Sequence, residues 1–130
     1  MKLFNREKIL IVEDDTSISG ALKVRLASAG YSPQVVGDGQ TAVRSVATDP
    51  PDLVILDLKL PDIHGFEVCR MLRRQYQPWE LPVLMLTGSE TPKTKLGGFA
   101  TGADAYMTKP YRPAELLRTV RLLLGHENIR

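Results

Sequence analysis

Asp57 stands at the end of a short run of branched aliphatic residues, 53–56, and a carboxylate in that position can do chemistry. The run is typical of a strand buried on both faces of a parallel sheet. A second aliphatic run, 8–12, is also followed directly by acidic residues: Glu13, Asp14 and Asp15. Because open α/β sheets bind ligands at the carboxyl ends of their strands, we expect these carboxylates at one rim. Like charges so close favour a bound cation, and a hard divalent ion suits an all-oxygen site.

The composition of the chain indicates which class of protein carries this acidic cluster. The chain has 130 residues, of which 43% are hydrophobic, and this is enough for one domain with a real core. No apolar run approaches the roughly 20 residues of a membrane helix, so no membrane association is expected. Cys69 has no partner for an internal disulfide, which favours a reducing cytoplasm. The net charge of +2 gives no reason to expect direct contact with nucleic acid.

Strand and helix patterns alternate along the whole chain. Strands are predicted at 8–12, 34–36, 53–57, 82–86 and 105–107, and helices at about 16–29, 39–49, 66–75, 92–101 and 113–124. Thr16 or Ser17 is expected to cap the first helix, and Pro113 suits the first turn of the last one. Five such units with short connections predict a doubly wound α/β fold with helices on both faces of a parallel sheet.

Residues at the strand ends resemble those of the receiver domain of bacterial two-component response regulators, including chemotaxis-regulator-like proteins. The resemblance covers about residues 6–124 and rests on these positions: Glu13-Asp14-Asp15, Asp57, Pro61, Gly65, Thr87, the segment 102–106 and Lys109-Pro110. It implies a flavodoxin-like (βα)5 fold with strand order 2-1-3-4-5. It also implies a receiver domain over residues 1–124, with residues 125–130 as a C-terminal tail or the start of a linker.

The resemblance assigns a role to each residue of the pocket. Asp57 is expected to accept a phosphoryl group from a sensor histidine kinase or a phosphotransfer protein. Lys109 would place a positive charge, and Thr87 a hydroxyl, on that group. The implied cofactor is Mg²⁺, which Asp14 would help to hold directly or through water. Asp15 and Asp57 would be the direct side-chain ligands and the backbone carbonyl of Lys59 a third; Glu13 receives a minor role. The domain would be a signalling module, not an enzyme in the usual sense, that catalyses its own phosphorylation and dephosphorylation.

Thr87 and Tyr106 are the expected switch residues, acting through the fourth helix and its Gly97-Gly98 pair. By resemblance, an effector or a second copy would bind the surface of helix 4, strand 5 and helix 5. At about 100° per residue, Leu122 lies opposite the apolar face of the last helix. The expected partner face comprises Lys95, Arg118, Arg121 and Leu122.

Two other functions are compatible with parts of the pattern. A receiver-like module that is never phosphorylated would bind partners only, but such proteins typically lack one of the pocket residues. Haloacid-dehalogenase-like phosphotransferases carry a second Asp two residues after the nucleophile, where this chain has Lys59.

The chain also departs from the family pattern at some positions. Lys59 and Ser89 are expected to flank the path of the hydrolytic water. Ala105 replaces an acidic residue common in the dimer face of receivers from winged-helix regulators, which weakens the case for a DNA-binding output. The cognate kinase, the output and the dephosphorylation rate are not readable from the sequence.

Overall fold

The computed structural model describes residues 6–88 and 91–126, in which five strands alternate with five helices. The strands are β1 (Lys8–Val12), β2 (Ser32–Val36), β3 (Leu53–Leu56), β4 (Val83–Thr87) and β5 (Ala105–Thr108). The helices are α1 (Thr16–Ser28), α2 (Gly39–Thr48), α3 (Gly65–Arg73), α4 (Pro92–Ala100) and α5 (Pro113–Leu123). All the strand pairs are parallel and the order is 2-1-3-4-5, as predicted.

The sheet separates two hydrophobic clusters. One cluster joins one side of the strands to buried residues of α2 and α3, including Val46 and Leu72. The other joins the opposite side to α1 and α5 through Leu26 and Val120. The central strands β1, β3 and β4 are therefore covered on both faces, which explains their continuous aliphatic runs.

Local signals account for the element boundaries that differ from the prediction. Asp15, and not Thr16 or Ser17, caps α1, because its side chain accepts hydrogen bonds from the backbone at Ser17 and Ile18. β2 begins at Ser32 and includes Pro33, which an edge strand tolerates. Arg112 at the start of α5 makes no side-chain cap, as its residue type predicts.

Two smaller expectations concern the compartment and the ends of the chain. Cys69 is a buried free cysteine, and burial raises the pKa of its thiol. Within residues 6–88 and 91–126, no helix is long and apolar enough to cross a membrane. Ser89 and most of the predicted tail lie outside the described residues.

Candidate phosphoryl-transfer site

The parallel register brings the predicted acidic residues to one end of the sheet. Val12 lies opposite Leu56, so the residues that follow them, Glu13 and Asp57, leave adjacent strands side by side. The hydrogen bonding between β1 and β3 continues one residue past β3, since the amide of Asp57 donates to the carbonyl of Val12 at 3.1 Å. Glu13 is 4% exposed and Asp57 is 7% exposed, so both carboxylates lie in a recess with limited access to water.

Gly65 allows the loop after Asp57 to fold closely against it. The Gly65 amide donates to the carbonyl of Leu58 at 2.8 Å. A Cβ at Gly65 would lie 2.3 Å from the backbone oxygen of Asp57, closer than a side chain can come. Glycine is therefore required here, and the tight turn keeps the mouth of the pocket in place.

Lys109 brings a positive charge to the two buried carboxylates. Its ammonium lies 2.5 Å from Oε1 of Glu13 and 3.2 Å from Oδ2 of Asp57. Its amide donates to the carbonyl of Thr87 at 2.9 Å, which ties it to the end of β4. Thr87 itself is buried, and Oδ1 of Asp57 accepts from the Leu58 amide at 2.8 Å. The structure thus brings Asp57, Thr87 and Lys109 to the same end of the sheet, as the sequence predicts.

Burial and ion pairing shift the pKa of each charged group described below in opposite directions. Burial raises the pKa of Glu13 and outweighs the hydrogen bond from Lys109, which lowers it. For Lys109 burial lowers the pKa, but the hydrogen bond and charge of Glu13 and the charge of Asp57 together raise it. Lys109 is therefore held in its cationic form, which is the form that can bind a phosphoryl oxygen.

The acidic cluster has a composition that fits a hard divalent cation. Glu13, Asp14 and Asp57 each offer one carboxylate oxygen, and these oxygens lie within 4.8 Å of one another. Two of the groups are buried and Asp14 is exposed, so the cluster opens to solvent on one side. An all-oxygen donor set of this kind suits Mg²⁺.

Asp15 caps α1, and its expected role as a direct metal ligand stays a prediction. Its Oδ1 accepts from the amide of Ser17 at 2.9 Å and from that of Ile18 at 3.3 Å, so the side chain is engaged at the start of α1. Glu13, which received only a minor role, takes the corresponding place in the acidic cluster. The signal was present in the sequence, because Asp is a preferred N-cap residue immediately before a helix.

Tyr106 is packed beside Gly98 and Phe99 of α4. It pairs with Met85 in the sheet and is half-buried. A Cβ at Gly98 would lie 3.0 Å from Cδ2 of Tyr106, and the ring of Phe99 lies 6.4 Å from that of Tyr106 between centroids. The sequence analysis did not single out Phe66, which also lies close to Gly98.

The residues of the expected partner face lie on α4 and α5. Lys95, Arg118, Arg121 and Leu122 are all exposed, with 52% of Leu122 accessible. Their role in binding a partner stays a prediction.

Comparison with known proteins defines the class to which this fold and this pocket belong. Residues 9–121 match the response regulator receiver domain family, and the chain belongs to that family. The chain is 44% identical over 117 residues to the DNA-binding dual master transcriptional regulator RpaA of Synechocystis, covering 90% of this chain and 48% of that protein. It is 40% identical over 123 residues to the alkaline phosphatase synthesis transcriptional regulatory protein PhoP of Bacillus subtilis, covering 95% of this chain and 50% of that one.

Solved structures agree with this assignment. The BeF3-activated receiver domain of Klebsiella pneumoniae RstA superposes with a TM-score of 0.85 at 34% identity, covering 90% of this chain and 97% of that one. A receiver domain of a Pseudomonas aeruginosa sensor histidine kinase, with magnesium coordinated in its active site cleft, has a TM-score of 0.85 at 30% identity, covering 92% and 98%.

The chain spans about half the length of the curated relatives that it matches. One of those relatives is named as DNA-binding, which qualifies the expectation that nucleic acid is not a partner. The family assignment therefore concerns the receiver domain.

Proposed function

We propose that Asp57 is the phosphoacceptor of this receiver domain and takes its phosphoryl group from a phosphohistidine of a sensor kinase or phosphotransfer protein. The observation that carries the proposal is the position of the Asp57 carboxylate. It lies in a recess at the end of β3, with the Lys109 ammonium 3.2 Å away and Glu13 and Asp14 beside it. The compartment we propose is the cytoplasm.

The transfer needs no base, because a carboxylate can attack without first losing a proton. One carboxylate oxygen forms a bond to phosphorus while the phosphorus–nitrogen bond to histidine breaks, and the electron pair returns to the imidazole. Lys109 neutralises charge on the transferring oxygens, and the Thr87 hydroxyl donates to one of them. Hydrolysis of the resulting acyl phosphate restores the Asp57 carboxylate and releases inorganic phosphate. The domain thereby catalyses both steps of its own cycle.

Glu13, Asp14 and Asp57 would hold Mg²⁺, with the backbone carbonyl of Lys59 as a further ligand by family resemblance. When bound, the ion supplies positive charge that offsets repulsion between the carboxylates and the incoming phosphoryl oxygens. Glu13 thereby joins the set that the sequence analysis expected. Among the described residues, Glu13, Asp14 and Asp57 are the acidic group whose oxygens lie close enough together for a shared ion.

The phosphoryl group would be detected through Thr87 and Tyr106. Capture of a phosphoryl oxygen by Thr87 would change the space beside Tyr106, whose ring rests on the α4 backbone at Gly98. The surface of α4, β5 and α5, with Lys95, Arg118, Arg121 and Leu122, would then bind an effector or a second copy of the chain. Leu122→Ser should weaken phosphorylation-dependent binding while shifting the melting temperature by about 1 °C or less, because the side chain is exposed.

Mass spectrometry after incubation with a small acyl phosphate and Mg²⁺ tests the acceptor directly. The parent protein should gain the mass of one phosphoryl group, Asp57→Asn should gain none, and chelation of the metal should suppress the gain. Asp52→Asn is the matched control, since Asp52 is exposed at the opposite end of the same strand. Equal labelling of the parent and Asp57→Asn would remove Asp57 from its role. No labelling of the parent would favour the unphosphorylated partner-binding module, for which the comparisons offer no support.

A further inference from the structure

A groove lies between α3 and α4, and its lining residues belong neither to the phosphoryl site nor to the expected partner face of Lys95, Arg118, Arg121 and Leu122. Its volume is about 480 Å³. Its lining includes the apolar residues Phe66, Leu96, Gly97 and Ala100, together with the basic residues Arg70 and Lys93. This combination of an apolar floor and cationic sides is the arrangement of a small protein interface.

Gly97 allows the ring of Phe66 to pack closely against α4 in the groove. A Cβ at this position would lie 2.7 Å from Cε2 of Phe66, so the aromatic ring occupies the space that a side chain would need. Leu96, the preceding residue, is 71% exposed and leaves most of its surface in water. Removing apolar side-chain surface from water is favourable, so a partner that covers Leu96 would be stabilised by its burial.

The charges of the groove select the kind of partner. Among the described lining residues, the charged ones are Arg70 and Lys93, both exposed and both positive. Arg70 pairs with Glu67 at 3.2 Å, but both side chains are about half exposed, and such pairs contribute little. Arg70 can therefore turn to a carboxylate of a partner at small cost.

We propose that this groove binds an acidic amphipathic helix of a partner protein. Two apolar side chains one helical turn apart would cover Leu96 and the edge of Phe66, and flanking carboxylates would pair with Arg70 and Lys93. Nucleic acid would satisfy the cations but leave the apolar floor exposed. A second copy would bring like charges together across a symmetric contact. The proposal goes beyond the phosphoryl switch, because the groove exists without a phosphoryl group.

A displayed library of helical peptides tests the proposal on the unphosphorylated chain. Peptides of about 16 residues would carry leucines one turn apart and random residues at the flanking positions. Enriched peptides should be rich in Asp and Glu, and Leu96→Asp should weaken their binding at least about tenfold. Val24→Asp, on an α1 valine that is 68% exposed, should leave their affinity within about twofold.

Reversing the charges of Arg70 and Lys93 provides a second test of the groove. In the double variant Arg70→Glu, Lys93→Glu, selection should yield basic flanks instead of acidic ones. If Leu96→Asp loses its fold, Leu96→Ser takes its place, with the melting temperature as the check. Enriched peptides with neutral or basic flanks on the parent, or insensitivity to the Leu96 variants, would overturn the proposal. Binding of a DNA duplex that depends on Lys93, or self-association that depends on Leu96, would also overturn the proposal, because either result would assign the groove to another partner. Because no phosphorylation is involved, these outcomes are independent of the role of Asp57.

Discussion

The guanidinium of Arg73 and the carboxylate of Asp104 meet at 2.7 Å, with side chains only 12% and 21% exposed. The same carboxylate oxygen accepts from the Val83 amide at 2.8 Å. Arg73 also donates to the carbonyl of Leu81 at 2.7 Å and to that of Gly102 at 2.8 Å. One side chain therefore joins the end of α3, the start of β4 and the turn after α4, at the end of the sheet opposite the phosphoryl pocket.

Arg73→Met should lower the free energy of unfolding by about 2 kcal/mol or more, because it leaves a partly buried carboxylate and two carbonyls without their donor. Arg74→Met is the matched control. The Arg74 side chain is 71% exposed and its ion pair with Glu67 is long, at 4.0 Å, so its loss should lower the free energy of unfolding by less than about 0.5 kcal/mol. Urea denaturation of the three proteins measures both changes. Similar stabilities for the two variants would show that the Arg73 network is not a structural support.

Asp57→Asn should raise the free energy of unfolding by about 1 kcal/mol in the presence of a chelator, since it removes one of the mutually repelling carboxylates. Asp15→Ala should have the opposite sign and lower it by about 1 kcal/mol, because it removes the cap of α1. Thermal unfolding with and without Mg²⁺ distinguishes the two. A loss of stability in Asp57→Asn would indicate that its bonds to Leu58 and Lys109 outweigh the repulsion.

Asp62 should make stability depend on pH in the acid range. Its carboxylate accepts from the amides of Gln40, Gly39 and Ile63, which lower its pKa to about 2. A lowered pKa in the folded state means that the contribution is fully present above the ordinary value near 4 and is lost as pH falls through about 2. The stability difference between the parent and Asp62→Asn should therefore shrink between pH 5 and pH 2, as followed by urea denaturation. A difference that stays constant over this range would contradict the assignment.

Gly97→Ala should destabilise the protein although alanine is the better helix former. The added Cβ would lie 2.7 Å from Phe66, and the expected net loss is about 1 kcal/mol. Gly20→Ala, in the interior of α1 with nothing within 4 Å, should instead gain up to about 1 kcal/mol. Combining Gly97→Ala with Phe66→Leu should recover part of the loss. If both alanine variants stabilise, Phe66 does not restrict α4.

Much of the fold could be predicted because burial on both faces leaves a strong local pattern. The runs ending at Val12, Leu56 and Leu86 are continuous and apolar, and each is followed directly by a polar residue. In a parallel sheet those residues must lie at one end, so the locations of Asp57, Thr87 and Lys109 followed from sequence alone. The strand order came from family resemblance, since local patterns carry no information on which strands are neighbours.

The division of roles within the acidic run depended on the direction of single side chains. Glu13 and Asp15 are two residues apart, and only the tertiary structure directs Glu13 toward Lys109 and Asp15 toward the amides of α1. The sequence could not assign these directions, because neighbouring carboxylates in one acidic run have the same chemistry.

The sequence by itself determined the alternation of strands and helices and the chemistry at the strand ends, because both are set by neighbours along the chain. Only the tertiary structure decided that Arg73 reaches Asp104 and that Gly97 receives the ring of Phe66. These pairs lie about thirty residues apart in the chain. Their contact depends on how helices pack across the sheet, and no local pattern specifies the distance between two helices.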